Sequence, residues 1–301
     1  IYYARSIQDC DIAVHYVTAI GVDTLSDAAL ELMTSEGIHT NHISRDPHRQ
    51  IGIYAIQNDE NGERDFHYWR DNSAARTMFT TDTSPHLSAI EMADMVYLSG
   101  ITLAILTQDA RDSLWIALAA LRASGLKVAF DSNYRSKLWD VTTTARREIA
   151  RFWEITDIAL PSYEDEADLF GDKSTLGIVS RIVAAGAQSG ALKCGNAGPV
   201  LIPLSDDIEY FAKADSVVDT TGAGDSFNGA YLAAIAADKT QTVAAMEAHA
   251  LAASVVAHQG AILPRVTAPK AIRMGSVIRL RPEHLEEYKR LHANVWPSVL
   301  S

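Results

Sequence analysis

Cysteine is almost missing from this chain, which carries only Cys10 and Cys194 among 301 residues. Two thiols so far apart exclude a disulfide framework and a zinc site, and they point to a reducing compartment, most simply the cytoplasm. Basic charge is in deficit too: 26 Lys and Arg stand against 38 Asp and Glu, a formal net charge of −12. That balance argues against nucleic acid or an anionic membrane as partner, since both need a basic face. Any anionic ligand must then be met by local cations. Long apolar runs are lacking as well. The most membrane-like stretch, 248–264, contains His249, His258, Gln259 and Gly260 and is shorter than the roughly 20 apolar residues of a span. It reads as a buried helix running into a strand. The chain opens at Ile1 with neither a basic n-region nor a cleavage-like site after it, so the expectation is a missing natural N-terminus rather than a signal peptide.

What is present suits a large core, because 48% of the residues are apolar. Short apolar runs alternate with helical patterns from Ala13 onward, which predicts an α/β fold with a mostly parallel sheet flanked by helices. Strands are expected at 13–20, 95–99, 127–130 and 157–160. Helices are expected at 26–33, with Ser26 as cap and a stop near Gly37, at 109–124, ended by Gly125, and at 142–152. Segments 50–56 and 65–70 flank Glu60-Asn61-Gly62, a good hairpin turn, and predict a small antiparallel β lid at about 50–70. Centred on Asn61, that hairpin sets Tyr54 opposite Tyr68 on one face; simple aromatic packing is the alternative reading of the pair. After Pro264 a linker precedes a strand-like 274–280 and a helix-like 282–292, a piece too short to be stable alone.

The chemistry concentrates in Asp219-Thr220-Thr221-Gly222-Ala223-Gly224-Asp225. A strand-like 216–218, a glycine turn and a helix over 225–237 put a helix N-terminus at the turn. Free backbone amides at Gly222, Ala223 and Gly224 can hold a phosphoryl group there, and glycine lets it come close. Asp225, at the mouth of that anion hole, can take the proton of an attacking hydroxyl. The competing reading makes Asp225 a helix cap and nothing more. Other nucleotide motifs are absent: the third glycine of a dinucleotide fingerprint is replaced by Phe227, and no Gly-x-x-x-x-Gly-Lys-Ser/Thr loop exists.

Asp219 to Gly229 closely resembles the C-terminal signature of PfkB (ribokinase-like) carbohydrate kinases. The resemblance covers residues 1–268 and implies a ribokinase-like core, ATP as donor and Mg2+ as companion ion. It assigns Asp225 as the catalytic base. Lys193-Cys194-Gly195-Asn196-Ala197-Gly198 resembles the family's Lys-x-Gly-x-x-Gly segment, implying Lys193, Gly195 and Gly198 beside the nucleotide; an ordinary strand and turn would look the same. The family's Asn-x-x-Glu falls on Ser162-Tyr163-Glu164-Asp165, followed by Glu166. That departure leaves Asp165 or Glu166 to hold a metal-bound water, or to be solvated charges at a helix start.

Gly52-Ile53-Tyr54, Tyr68-Trp69-Arg70 and Asp131-Ser132-Asn133-Tyr134-Arg135 resemble 2-keto-3-deoxygluconate kinases within that family. The resemblance implies substrate contacts from Tyr54, Tyr68, Arg70, Asn133 and Arg135, and phosphorylation of an acidic sugar at its 6-hydroxyl. Physical logic agrees, since an acidic sugar entering a chain of net charge −12 needs guanidinium groups that pair with carboxylate. Surface salt bridges are the plain alternative for the two arginines. The resemblance further implies an upstream strand and a Gly-Gly-Asp-x-x-Asn region, neither of which is in this sequence, and it allows a homo-oligomer built through the lid, which no residue pattern establishes. Residues 273–301 resemble the start of an L-rhamnose mutarotase, with Tyr288 and His292 as the matching sugar-site residues or else an inert helix face. Three outcomes therefore stand: an active kinase for this acid or for another sugar or deoxysugar acid, an inactive sugar-nucleotide-binding remnant, and a kinase–mutarotase fusion cut at both ends.

Overall fold

The computed structural model describes residues 1–265 apart from 9, 59–63, 81–84, 206–210, 212 and 215. The chain divides into two units, Ile1–Leu263 and Pro264–Ser301, and the described elements all lie in the first. The expectations for 274–280 and 282–292, with Tyr288 and His292, fall outside the described residues.

After a short helix α1 (Tyr2–Ser6), strand β1 (Thr18–Ile20) leads through helix α2 (Thr24–Ser35) to β2 (Ile43–Arg45), and β1 pairs with β2 in parallel. The strand expected at 13–20 is shorter than anticipated, with an isolated bridge at His15 to His39 preceding it. Ser26 does not cap α2. Asp23 does, its Oδ1 accepting from the amides of Leu25 at 3.1 Å and Ser26 at 3.0 Å. The Ser26 hydroxyl is buried and accepts from the Gly21 amide at 3.0 Å, so it is already committed to the preceding turn.

The lid is an antiparallel ribbon of β3 (Ile53–Asn58) and β4 (Arg64–Trp69), and its register pairs Tyr54 with Tyr68 as the turn centre predicts. Helix α3 (Pro85–Ile90) then precedes the main sheet, formed by β5 (Met95–Ser99), β6 (Lys127–Asp131), β7 (Ile158–Ala159), β8 (Ser189–Leu192) and β9 (Val200–Leu201) in that order. The first four run parallel, and β9 is antiparallel to β8. Connections run through α4 (Gly100–Ile105) and α5 (Gln108–Ala123), then α6 (Thr142–Trp153), then α7 (Tyr163–Phe170) and α8 (Thr175–Ala185). Helices α9 (Ala223–Ala236) and α10 (Gln241–Val256) close the fold.

Alternation along β6 explains the two-sided cover. Val128 and Phe130 join a core with Leu114, Leu118, Ile149 and Trp153, where the Phe130 and Trp153 rings meet edge to face at 4.7 Å. Ala129 joins the opposite core with Tyr231, Leu232, Ala244, Ala245 and Ala248 of α9 and α10. Small residues let that helix pair lie close to the sheet, and each large side chain buried is worth about 1.5–3 kcal/mol.

Two further expectations need correction. No strand follows α10: residues 257–265 form turns and bends, because Gly260 is held at φ 88° and its amide is taken by Asp219 Oδ2 at 2.9 Å. Residues 216–218 are not a strand either; Val218 and Asp219 both donate to the Val256 carbonyl, at 2.7 and 3.1 Å, which anchors the segment without building a ladder. Among the described residues no helix is long and apolar enough to cross a membrane.

Candidate active site

The turn before α9 is set by Gly222, which sits at φ 80° and ψ 0° in the left-handed region. A Cβ there would come within 2.7 Å of the Ala261 carbonyl oxygen, so the position requires glycine on two counts. Asp219 braces the turn, accepting from Thr221 N at 2.8 Å through one carboxylate oxygen and from Gly260 N through the other. Ala223 N is taken by Thr220 O and Ser226 N by Gly222 O, while the amides of Gly224 and Asp225 make no backbone hydrogen bond among the described residues. Space lies open in front of Gly224, where an added Cβ would meet only the Lys193 ammonium at 4.0 Å.

Asp225 is in the first turn of α9 but does not cap it, because Gly222 is the N-cap. Its carboxylate makes no hydrogen bond or ion pair among the described residues. It is exposed on the open side of the turn, yet the protein around it raises its pKa above the ordinary aspartate range. Desolvation is the main cause and the negative Asp131 adds to it, with Lys193 and Arg135 pulling the other way.

Beneath it lies a polar network that sequence reasoning missed. Lys193 Nζ donates to Asp131 Oδ2 at 2.7 Å, to the Leu160 carbonyl at 2.6 Å and to Asn228 Oδ1 at 3.0 Å. Asn228 in turn donates to Asp131 Oδ2 at 2.6 Å and meets the Tyr97 hydroxyl at 3.0 Å. Two signals pointed there: Asp131 ends a parallel strand at its carboxyl end, where ligands gather in such sheets, and Asn228 lies three residues after Asp225 on the same helix face. Tyr97 carries no signal that separates it from a packing residue of β5.

Asn133 follows Asp131 at φ 32°, its amide bonded to Asp131 Oδ1 at 3.1 Å. This bend delivers Arg135, whose Nη1 donates to the Tyr134 carbonyl at 2.7 Å and pairs with Asp165 at 3.2 Å while its side chain stays half exposed. Asp165 is raised to about 6, by burial first, with Arg135 opposing. Glu166 is fully buried and pairs with Arg181 at 2.7 Å. Its burial rules out a solvated helix-start charge, while its second carboxylate oxygen has no hydrogen-bond partner among the described residues. Gly195 and Gly198 adopt φ 52° and 83°, and a Cβ on Gly198 would strike the Phe211 ring at 2.4 Å; close packing fixes that glycine.

On the lid, the Tyr54 and Tyr68 rings lie 6.2 Å apart, and the Arg70 guanidinium stacks over Tyr68 at 4.0 Å. The structure therefore gathers the expected residues into two groups. Asp225, Lys193, Arg135 and Asp165 share one electrostatic neighbourhood, and Tyr54, Tyr68 and Arg70 form a cluster on the ribbon.

A glycine turn with two open amides beside a carboxylate that has no partner among the described residues, at the carboxyl end of a parallel sheet, fits a phosphoryl-transfer class of enzyme. The pfkB family carbohydrate kinase model matches residues 3–268, and the chain belongs to that family. An L-rhamnose mutarotase model matches residues 273–301. Among relatives, a 2-dehydro-3-deoxygluconokinase from Haemophilus influenzae is 37% identical over 269 residues, covering 88% of this chain and 86% of the relative. One from Escherichia coli K12 is 36% identical over 276 residues, covering 89% of each. An Escherichia coli structure assigned to ribokinase II, solved with ATP and Mg2+, superposes with a TM-score of 0.73 at 22% identity, over 86% of this chain and 82% of that one.

Proposed function

We propose that this chain transfers the γ-phosphoryl group of ATP to the 6-hydroxyl of 2-dehydro-3-deoxygluconate, giving the 6-phosphate and ADP. The observation that carries the reading is the Asp225 carboxylate, without a partner among the described residues and next to two amides of a left-handed glycine turn that are unbonded among those residues. Asp225 takes the hydroxyl proton as the sugar oxygen attacks the γ-phosphorus in line, and the amides of Gly224 and Asp225 receive charge that builds on the equatorial oxygens. A carboxylate raised above its usual range is a stronger base than a free aspartate.

The two relatives named for this sugar acid support the substrate, and so do the cations. Arg70, held over Tyr68, and Arg135, half exposed, present guanidinium groups to a carboxylate in an otherwise acidic chain. Tyr54 and Tyr68 wall the sugar, and Asn133 sets the bend that aims Arg135. Lys193 acts through Asp131 and Asn228 as a brace behind the phosphate site, and Gly195 and Gly198 shape the nucleotide side.

The fold neighbour with ATP and Mg2+ supports both as companions here. Among the described residues no group of three or more His, Cys, Asp or Glu could hold a metal. That donor set fits an ion carried in on the phosphates, since magnesium keeps several waters, and Asp165 is the carboxylate available to hold one of them. The ion supplies neutralisation of phosphate charge. Residues 1–268 form the kinase domain and 273–301 belong to a second, mutarotase-like one. A cytoplasmic site suits an ATP-consuming reaction.

The test is a coupled ADP-release assay comparing this sugar acid with fructose, ribose and related deoxy-ketoacids. Preference for 2-dehydro-3-deoxygluconate is the expected result. Preference for a neutral sugar overturns the arginine argument, and absence of turnover with every acceptor leaves the remnant reading standing.

A further inference from the structure

Segment 260–263, which follows α10, has little secondary structure to hold it in place. Its backbone makes no hydrogen bond to another backbone group among the described residues, and Gly260 N is taken by the Asp219 carboxylate. Two side chains of α1 supply the remaining ties. Tyr2 serves the segment twice, its hydroxyl donating to the Ala261 carbonyl at 2.9 Å and accepting from the Leu263 amide at 2.9 Å. Arg5 Nη1 donates to the Leu263 carbonyl at 2.7 Å. Its Nε and Nη2 grip both carboxylate oxygens of the buried Glu36, at 2.8 and 2.6 Å.

Both ends of this tie are fixed. Helix α1 lies so close to α9 that a Cβ on Gly229 would come within 2.8 Å of the Tyr3 nitrogen and 2.9 Å of the Tyr2 Cβ. The two-pronged grip on Glu36 fastens α1 to the end of α2 as well. At the other end Ala261 is pressed against Gly222, the residue that sets the phosphate turn: a Cβ there would strike the Ala261 carbonyl oxygen at 2.7 Å and its Cα at 3.0 Å. That carbonyl oxygen is the one Tyr2 holds. Packing alone would need only the ring of Tyr2, which is 7% exposed. A hydroxyl that donates and accepts at once also fixes the direction of the carbonyl it binds.

We infer that Tyr2 is a positioning residue for phosphoryl transfer, acting through Ala261 on the Gly222 turn; the inference rests on the kinase reading of that turn. The hydroxyl keeps the Ala261 carbonyl against Gly222, Gly222 keeps its left-handed conformation, and the amides of Gly224 and Asp225 keep their aim at the transferring group. Charge on that group is greatest in the transition state, so loosening the segment lowers the rate and leaves ground-state binding largely intact.

Tyr2→Phe, which keeps the ring and removes both bonds, tests this in the full chain. Its kcat is expected to fall by about 10- to 50-fold, with KM for the sugar acid and affinity for ADP changed by less than about 3-fold. Hydrogen exchange, measured without substrates, should show the amides of Ala223 and Ser226, both bonded within the turn, exchanging at least about 10-fold faster. Arg5→Lys keeps a cation for Glu36 but gives up the reach to Leu263, and should move both readouts the same way by less. Ile182→Val, a buried change in the core on the other face of the sheet, controls for lost stability: it should lower the melting temperature and leave kcat and exchange at the turn as they are. Unchanged exchange at the turn in Tyr2→Phe overturns the inference, and so does faster exchange with unaltered kcat. Wild type that phosphorylates no acceptor sinks the kinase reading and the rate half of the inference with it, a result told apart from the first because the exchange comparison still decides whether Tyr2 holds the turn.

Discussion

At the turn before α9 the groups proposed to do the chemistry are set by backbone: Gly222 at φ 80°, two open amides, and a carboxylate in the first helical turn. On the lid ribbon the groups proposed for recognition are side chains, with Tyr54 and Tyr68 49% and 37% exposed and Arg70 stacked on the latter. The first region is tied in from all sides, by Asp219 below and by Ala261 against Gly222. The second is a two-stranded ribbon, a structure of marginal stability by itself. A backbone anion hole tolerates almost no change, whereas a ribbon can exchange its side chains without disturbing the core. Rate should therefore be vulnerable at the turn and substrate preference at the lid, and each prediction below strains that division.

The largest effect is expected at Asp225. Asp225→Asn removes the base while keeping shape and the amides, so turnover should fall by about 10²–10⁴-fold with nucleotide affinity retained. Stopped assays for ADP, with nucleotide binding measured in parallel, decide it. Because the carboxyl titrates above its ordinary range, the acidic limb of the wild-type rate profile should also lie above that range. Near-normal turnover in the variant would leave the turn without its assigned base.

Lys193→Met comes next and probes the brace. Removing the ammonium leaves Asp131, which is buried and already shared with Asn228, without its cation. Breaking such a pair costs about 3–5 kcal/mol. Urea denaturation should show that loss. A variant as stable as wild type but with a greatly weakened nucleotide interaction would instead make Lys193 a direct ligand.

At the lid, Arg70→Ala should raise KM for the sugar acid by about 10- to 100-fold while changing kcat little, the pattern of a lost ground-state contact. Neutral sugars, lacking the carboxylate, should be unaffected. A fall in kcat with KM unchanged would move Arg70 out of recognition and into the chemical step, erasing the contrast between the two regions.

How much of this was legible in the sequence follows from the range of the contacts. The lid register was readable because a hairpin centred in sequence on Asn61 sets which residues pair, and Tyr54 does pair with Tyr68. The anion turn was readable because its parts are contiguous. The brace was not, since Lys193 meets Asp131 across 62 positions and Asn228 meets Asp131 across 97, and only the sheet order makes those neighbours. Local ambiguity had a different cause at α2, where Asp23 and Ser26 are both good caps and only the bond from Gly21 to Ser26 decides between them. Glu166 left two readings open, a holder of a metal-bound water or a solvated helix-start charge, because helix starts favour acids; its burial against Arg181, which removes the second, depends on α8, which the local pattern does not contain.

The smallest effect is expected where the two regions come closest in sequence logic, at the Asp165 partner of Arg135. Asp165 is raised to about 6 from 3.8, so the folded state prefers it protonated. Its ionisation therefore costs nothing below pH 3.8, costs progressively more as pH rises toward 6, and costs a constant amount above that. A shift of about two units has a ceiling near 3 kcal/mol, and solvent reaching this 18% exposed side chain reduces it to about 1–2 kcal/mol. Asp165→Asn should accordingly match wild type in stability near pH 3.5 and exceed it by that margin at pH 7, as read from urea midpoints across the range. If the carboxylate is instead held ionised by a water-bridged ion or a tight grip from Arg135, the variant will be less stable at pH 7, and its place at the edge of the phosphate site would rest on charge pairing rather than burial.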